Sequence, residues 1–236
     1  MLRRRTAGVP ALVSALVLAL STALFACSPA PEEPLPEGRA LVDAAGASLD
    51  GVRSVRFDFS VSSTIPGLDI REVKGQASKD GGPHGTAIGQ ADVQASVDRF
   101  ELDYVLAGDT LFLTDKNGQQ TRAAVPAQYT PTRMLDRERG LPKLLAEATA
   151  LKTETEEDVL GVQAYRVTGE LARNVIAGVV PGIQADVDVK FWVTKSEPRN
   201  LVRVWIQVPP RQPNEGAIQL ELGLSDQNVP VGASED

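Results

Sequence analysis

The sequence predicts an α+β domain in which a curved antiparallel β-sheet forms a half-barrel, closed by a few α-helices around an apolar cavity. Apolar and polar residues alternate in many short segments, which is typical of strands with one buried and one solvated face. So many half-buried strands favour an antiparallel sheet over a parallel one. Two or three segments instead have helical spacing, and these helices must bury their apolar sides on the sheet. A long, twisted sheet is expected to curl around them.

The first 26 residues have the three regions of a signal peptide. Residues 3–5 are all Arg, residues 9–25 are apolar, and LFAC at residues 24–27 resembles the bacterial lipobox, in which the Cys is acylated and becomes the N-terminus. An uncleaved anchor is the alternative, although a largely apolar run of 17 residues is at the short limit for spanning a bilayer. The sequence therefore predicts lipidation at Cys27 and a chain held at the extracytoplasmic (periplasmic) face of the cell membrane.

A Pro-rich tether separates the lipidated Cys from the folded part. Residues 28–37 contain four Pro and three Glu, which favours an extended spacer of at most about 30 Å. The predicted organisation is a signal peptide over residues 1–26, a tether over 27–37, a single domain over 38–228 and a flexible tail over 229–236. Removal of the signal peptide takes away three of 24 basic residues and none of 31 acidic ones, so the net charge becomes −10. Nucleic acid is therefore not an expected partner.

The predicted elements follow one another along the chain, beginning with a short helix. Leu41, Ala45 and Leu49 form one apolar stripe over residues 40–50. Strict alternation then predicts strands at residues 55–61, 100–106, 165–168, 186–193, 202–208 and 218–224.

Two further helices are expected between these strands. Residues 141–151 place Leu and Ala at helical spacing, and residues 171–180 form a more apolar helix that ends before the Pro-Gly pair at 181–182.

Residues that carry common enzyme chemistry are few. The single His, His84, lies in a Gly-rich and Pro-rich turn, where a solvated side chain is expected rather than part of a catalytic triad. Asp186 and Asp188 alternate with apolar residues and are expected to face solvent, as is the acidic run over residues 154–158. One His and one acylated Cys leave little for a zinc site, and no Gly-rich loop matches a phosphate cradle. The sequence predicts no enzyme, no metal and no cofactor.

Apolar surface is what remains to be explained. Residues 171–180 offer only Arg173 and Asn174 to water, and IPGL at residues 65–68 puts two large apolar residues in a turn. Either feature fits a plain core, but in a tethered protein without catalytic groups the two together favour a lipid pocket, with residues 171–180 in its wall or gate. The inward positions predicted to line it are Val55, Phe57, Phe59, Val61, Phe100, Leu102, Tyr104, Leu144, Val175, Ile176, Val179, Val187, Val189, Phe191 and Val204.

Several segments together resemble the actinobacterial LppX/LprA/LprF/LprG lipoprotein family. They are the lipobox and tether, the helix at residues 41–49, IPGL at 65–68, residues 129–135 leading into 140–141, GVQAYRVTG at 161–169 and FWV at 191–193. The resemblance implies a half-barrel akin to the LolA and LolB carrier folds, with a large apolar cavity and no catalytic residues.

The resemblance also implies a function. Such a protein binds acylated lipids or glycolipids and carries them from the cytoplasmic membrane toward the outer cell envelope, in some members beside an efflux permease. The alternative is a scaffold or adaptor lipoprotein with a solid core, which supports an envelope transporter or a cell-wall enzyme.

Overall fold

The computed structural model describes residues 34–95 and 97–232, and the described residues from Leu35 onward form one compact unit. The strands within these ranges are β1 (Ser54–Val61), β2 (Ile70–Ser78), β3 (Thr86–Ala95), β4 (Asp98–Ala107), β5 (Thr110–Asp115), β6 (Gln120–Ala123), β7 (Thr149–Val159), β8 (Val162–Leu171), β9 (Val187–Thr194), β10 (Leu201–Val208) and β11 (Ile218–Ser225). The helices are α1 (Gly38–Asp50), α2 (Pro131–Met134), α3 (Leu141–Glu147) and α4 (Arg173–Val179), with a 3-10 helix at Ala127–Tyr129. No helix in the same ranges is long and apolar enough to cross a bilayer.

All the described strands belong to one curved, open antiparallel sheet of eleven strands, so the predicted fold class is confirmed. Their order across the sheet is β6-β5-β4-β3-β2-β1-β11-β10-β9-β8-β7. Two runs of hairpins meet where β1, the first strand of the chain, pairs with β11, the last.

The alternating segments correspond to strands β1, β4, β8, β9, β10 and β11, which confirms these predictions. The alternation does not predict β2, β3, β5, β6 and β7, and the reasons are visible in the side chains. The inward positions of β2 and β3 carry Gly75, Ala77, Ala87 and Gly89 in place of large apolar residues. Strand β7 is an edge strand that carries charged and hydroxyl side chains over residues 152–158.

The first helix agrees with its prediction, but the two later ones are shorter than expected. Helix α1 begins at Gly38 because the Glu37 carboxylate accepts a hydrogen bond from the backbone N–H of Ala40 at 2.7 Å. Helix α3 ends at Glu147 and β7 begins at Thr149, so Leu151 lies in a strand and not in a helix. Ala150, between Thr149 and Leu151, has a positive φ of 51°, which is not helical. Residue 171 also belongs to a strand, since it pairs with β9 at the end of β8.

The solid core lies on one half of the sheet. Helix α1 packs across β7 to β10, α3 packs on α1, and α4 packs on α3. The side chains beneath them are nearly inaccessible: Phe191 and Leu201 are fully buried, and Val189 is 1% exposed. A second, smaller cluster lies on β2 to β5 around Tyr104 and Leu106. Because the helices pack mainly on the β7 to β10 half, the inward face of β1 to β5 is left without a packed layer.

Candidate functional site: an apolar cavity

The unpacked half of the sheet faces a cavity of about 410 Å³. Its floor is the inward face of β1 to β5 with parts of β10 and β11, and its roof is formed by residues 126–135 together with α3 and α4. The volume falls within the range of about 300–1,000 Å³ that is typical of small-molecule sites. The wall is apolar almost throughout, so the space suits hydrocarbon rather than a polar solute.

Small side chains on two central strands keep this space empty. Ala77 on β2 and Ala87 and Ala91 on β3 point into the cavity, whereas β9 in the solid half presents Val189 and Phe191 at its inward positions. Of the helices, the four-residue α2 contacts β2, while α1 packs on β7 to β10. The cavity therefore follows from the side-chain volumes of β2 and β3 as much as from the helix positions.

The hydroxyl of Tyr104 lies close to a pair of glycines at the floor. Gly75 pairs with Gly89, and Gly89 pairs with Tyr104 across neighbouring strands. A Cβ on Gly75 would lie 2.6 Å from the Tyr104 hydroxyl oxygen and 2.2 Å from the carbonyl oxygen of Ile88, so both this position and Gly89 need glycine. The hydroxyl donates to the carbonyl oxygen of Lys74 at 3.4 Å, and burial raises the pKa of Tyr104 well above its ordinary value. The tyrosine therefore stays neutral and does not bring a charge into the cavity.

The periodicity of the sequence does not predict the segment that roofs the cavity. Tyr129, Pro131, Met134 and others of residues 126–135 line the cavity, within a 3-10 helix and the four-residue helix α2. Pro131 starts α2 with the fixed φ that suits a first helical position. The Thr132 hydroxyl donates to the carbonyl oxygen of Pro83 at 2.9 Å, which ties the roof to the β2–β3 turn. Elements this short have no period to detect, and the only signal in the sequence is the resemblance noted for residues 129–135.

Of the fifteen positions predicted to line the pocket, the structure brings nine to the cavity wall. These nine are Val55, Phe57, Phe59, Leu102, Tyr104, Leu144, Ile176, Val179 and Val204. Their contact with lipid stays a prediction.

Five other predicted positions lie in the solid core and do not line this cavity. They are Val61, Val175, Val187, Val189 and Phe191, all buried. Alternation indicates which residues point inward, but the position of the helices decides whether an inward residue meets another side chain or open space.

Phe100 also does not line this cavity, for a different reason. It lies on the same face of β4 as Leu102 and Tyr104, but the β3–β4 hairpin continues beyond the end of the cavity. The ring is consequently 47% exposed.

The acidic residues that the sequence predicts to be solvated are exposed or form structural ion pairs and hydrogen bonds. Asp188 is exposed on β9, and Asp186 accepts a hydrogen bond from the backbone N–H of Arg173 at 2.7 Å, at the start of α4. In the acidic run, Glu154 and Glu157 both pair with Arg166 on β8. Within the part of the chain that the structure describes, no cluster of His, Cys, Asp and Glu could hold a metal ion.

Known proteins are similar to this chain over most of its length. The protein "Lipoarabinomannan carrier protein LprG" of Mycobacteroides abscessus is 26% identical over 231 residues, which cover 97% of this chain and 96% of the relative. The protein of the same name from Mycolicibacterium smegmatis is 26% identical over 190 residues, covering 77% of this chain and 80% of the relative.

Solved structures share the fold. LprF from Mycobacterium bovis matches with a TM-score of 0.70 at 21% identity, over 86% of this chain and 98% of that one. LppX from Mycobacterium tuberculosis matches with a TM-score of 0.64 at 16% identity, over 83% of this chain and 97% of that one. The family model described as "LppX_LprAFG lipoprotein" matches residues 37–232, which is most of the chain. The chain therefore belongs to the LppX_LprAFG lipoprotein family.

Proposed function

We propose that this protein binds the acyl chains of a lipid or glycolipid in the cavity and carries it from the cytoplasmic membrane toward the outer cell envelope. The observation that carries the proposal is the unfilled apolar space of about 410 Å³ beneath residues 126–135. The names of the LprG relatives, which refer to a carrier of lipoarabinomannan, support a glycolipid as the ligand. An efflux permease as a partner rests on the family resemblance.

The energy of the transfer explains why such a cavity is needed. Exposing an acyl chain to water costs about 0.8 kcal/mol for each CH₂ group, so a chain of about 16 carbons would face a barrier of roughly 12 kcal/mol. A cavity wall made of Phe, Leu, Val and Ala side chains removes most of that cost. The polar head group finds few partners inside, because Tyr104 already uses its hydroxyl proton toward Lys74. The head group is therefore expected to stay at the mouth of the cavity.

A lipid extraction tests the proposal against the scaffold alternative. Residues 28–236, secreted from an actinobacterial host and purified without detergent, are extracted with organic solvent and the extract is measured by mass spectrometry. We expect acylated lipid near one equivalent per protein. A folded protein whose extract contains no lipid above the level of a purified unrelated protein would support the solid scaffold instead.

The anchor is a second part of the proposal, and Cys27 lies outside the described residues. Cys27→Ala is expected to abolish the incorporation of a radioactive fatty acid, because the thiol is the acylation site of the resembled lipobox. Cell fractionation should then find the chain in the soluble fraction or as an uncleaved precursor. Labelling that persists in the Ala variant would rule out this anchor.

A further inference from the structure

The β3–β4 hairpin projects beyond its neighbours at one end of the half-barrel. Strand β2 pairs with β3 no further than Ile70 with Val93, and β5 pairs with β4 only from Leu102 onward. The backbone N–H of Gln94 still donates to the carbonyl oxygen of Asp69 at 2.7 Å, and beyond this bond the ladder continues between β3 and β4 alone, as Ala95 with Asp98. The hairpin tip is thus a narrow projection from the rim of the sheet.

Apolar side chains connect the cavity to this tip. Ala91, Val93 and Leu102 line the cavity, and Phe100 pairs with Val93 on the same face of the hairpin. Phe100 is 47% exposed, and Val97, at the turn, is 89% exposed. The apolar face of β3 and β4 therefore continues out of the cavity to two uncovered side chains, which we name the hairpin knob (Val97 and Phe100).

The two arginines beside the hairpin knob are already partnered, whereas Asp98, which lies between Val97 and Phe100, is exposed. Arg99 holds both carboxylate oxygens of Asp92 across the hairpin, with Nε to Oδ1 at 2.9 Å and Nε to Oδ2 at 3.0 Å. Arg71 donates to the side-chain oxygen of Gln94 at 2.9 Å. Because these cations are engaged within the protein, contact of the tip with another surface does not depend on an anionic partner.

The apolar area of the hairpin knob is smaller than an ordinary protein interface. A Phe and a Val side chain expose less than about 300 Å² together, whereas a stable protein partner covers about 800 Å² on each side. A bilayer has no such minimum, because single apolar side chains partition into it without a matching surface. The tether also favours this occupant, since a Cys27 anchor would lie eight residues, at most about 28 Å of chain, from Leu35.

We infer that the hairpin knob inserts into the lipid bilayer and forms the path by which an acyl chain passes between membrane and cavity. The inference rests on the proposed function for its second half, the loading of the cavity. Docking itself needs only the exposed Val97 and Phe100. An acyl chain that slides along Phe100, Val93 and Leu102 stays on apolar surface from the bilayer to the cavity and is never fully exposed to water.

Docking is tested with a probe on the full acylated chain in phosphatidylcholine vesicles. Val97→Cys gives a free thiol, since the single native Cys is acylated in our proposal, and it takes an environment-sensitive fluorophore. The matched control is Val105→Cys on β4, which is 39% exposed and lies on the face opposite to Phe100. We expect doxyl-labelled phosphatidylcholine to quench the probe at 97 several-fold more than the probe at 105, in low and high salt alike. Equal quenching at the two positions would overturn the docking.

Loading is tested separately with the paired substitution of Val97→Ser and Phe100→Ser. We expect extraction of a fluorescent diacyl lipid from the vesicles to slow by about tenfold or more, while the equilibrium binding of a soluble short-chain fluorescent fatty acid is unchanged. Val105→Ser should extract at the wild-type rate. Wild-type extraction by the paired variant would overturn the loading path. A wild-type protein that fails to bind even the soluble fatty acid would instead contradict the proposed function, and the quenching result would still decide the docking.

Discussion

Replacing Ala91 with Trp is expected to abolish lipid binding while leaving the protein folded. Ala91 lies in the cavity wall on β3, opposite Val73 on β2 and Leu102 on β4, and it is only partly buried. An indole at this position projects into open space of about 410 Å³ rather than into packed side chains. The free energy of unfolding should therefore change by less than about 1 kcal/mol, below the usual cost of overpacking a filled core. Urea denaturation and lipid content per folded molecule measure the two effects.

The neighbouring residue provides a matched control. Gln90 is exposed on the opposite face of the same strand, so Gln90→Trp adds the same ring outside the cavity. This variant should keep both its stability and its lipid. If Ala91→Trp retains a full equivalent of lipid, or unfolds the protein as overpacking of a solid core would, then the space above β3 is not the binding site.

Replacing Phe191 with Ala is expected to cause the largest loss of stability. Phe191 is among the largest fully buried side chains and lies between β9 and the helices of the solid half. Its removal leaves an enclosed void, which typically costs about 3–5 kcal/mol for a buried Phe. The change in unfolding free energy is measured by urea denaturation of residues 28–236.

Phe59→Ala is the matched control for this prediction. The Phe59 ring is only partly buried and already faces the cavity, so its removal enlarges an existing space instead of opening a new one. We expect it to cost less than about half as much as Phe191→Ala. Equal losses for the two variants would mean that β1 is packed as tightly as β9, which would contradict the division of the sheet into a solid half and a cavity half.

The alternation in the sequence predicts strands best where large apolar residues occupy every inward position. This pattern holds for β1 and β9, with Phe57 and Phe59 on one and Val189 and Phe191 on the other. It fails for β2 and β3, because the residues that make the cavity are small and give a weak apolar signal. The small side chains that leave room for the cavity are thus the reason why alternation does not predict β2 and β3.

Periodicity also cannot separate the two halves of the sheet. Val189 and Val204 have the same local pattern, yet Val189 lies in the solid core and Val204 reaches the cavity wall. The difference depends on where α1, α3 and α4 pack, which is set by contacts far apart in the chain. The position of the roof segment, residues 126–135, also cannot be predicted from sequence periodicity. It depends on single contacts such as the hydrogen bond from Thr132 to Pro83.

The most direct test of lipid carriage is a crystal structure of residues 28–236 with a bound lipid whose acyl chain is brominated near its end. Anomalous scattering then locates the bromine atoms without assumptions about the rest of the ligand. We expect the bromine signal inside the cavity, between the Tyr104 ring on the floor and Met134 in the roof, with the head group outside. Bromine found only on the opposite face of the sheet, or an empty cavity in a crystal saturated with the lipid, would contradict the proposed carrier function.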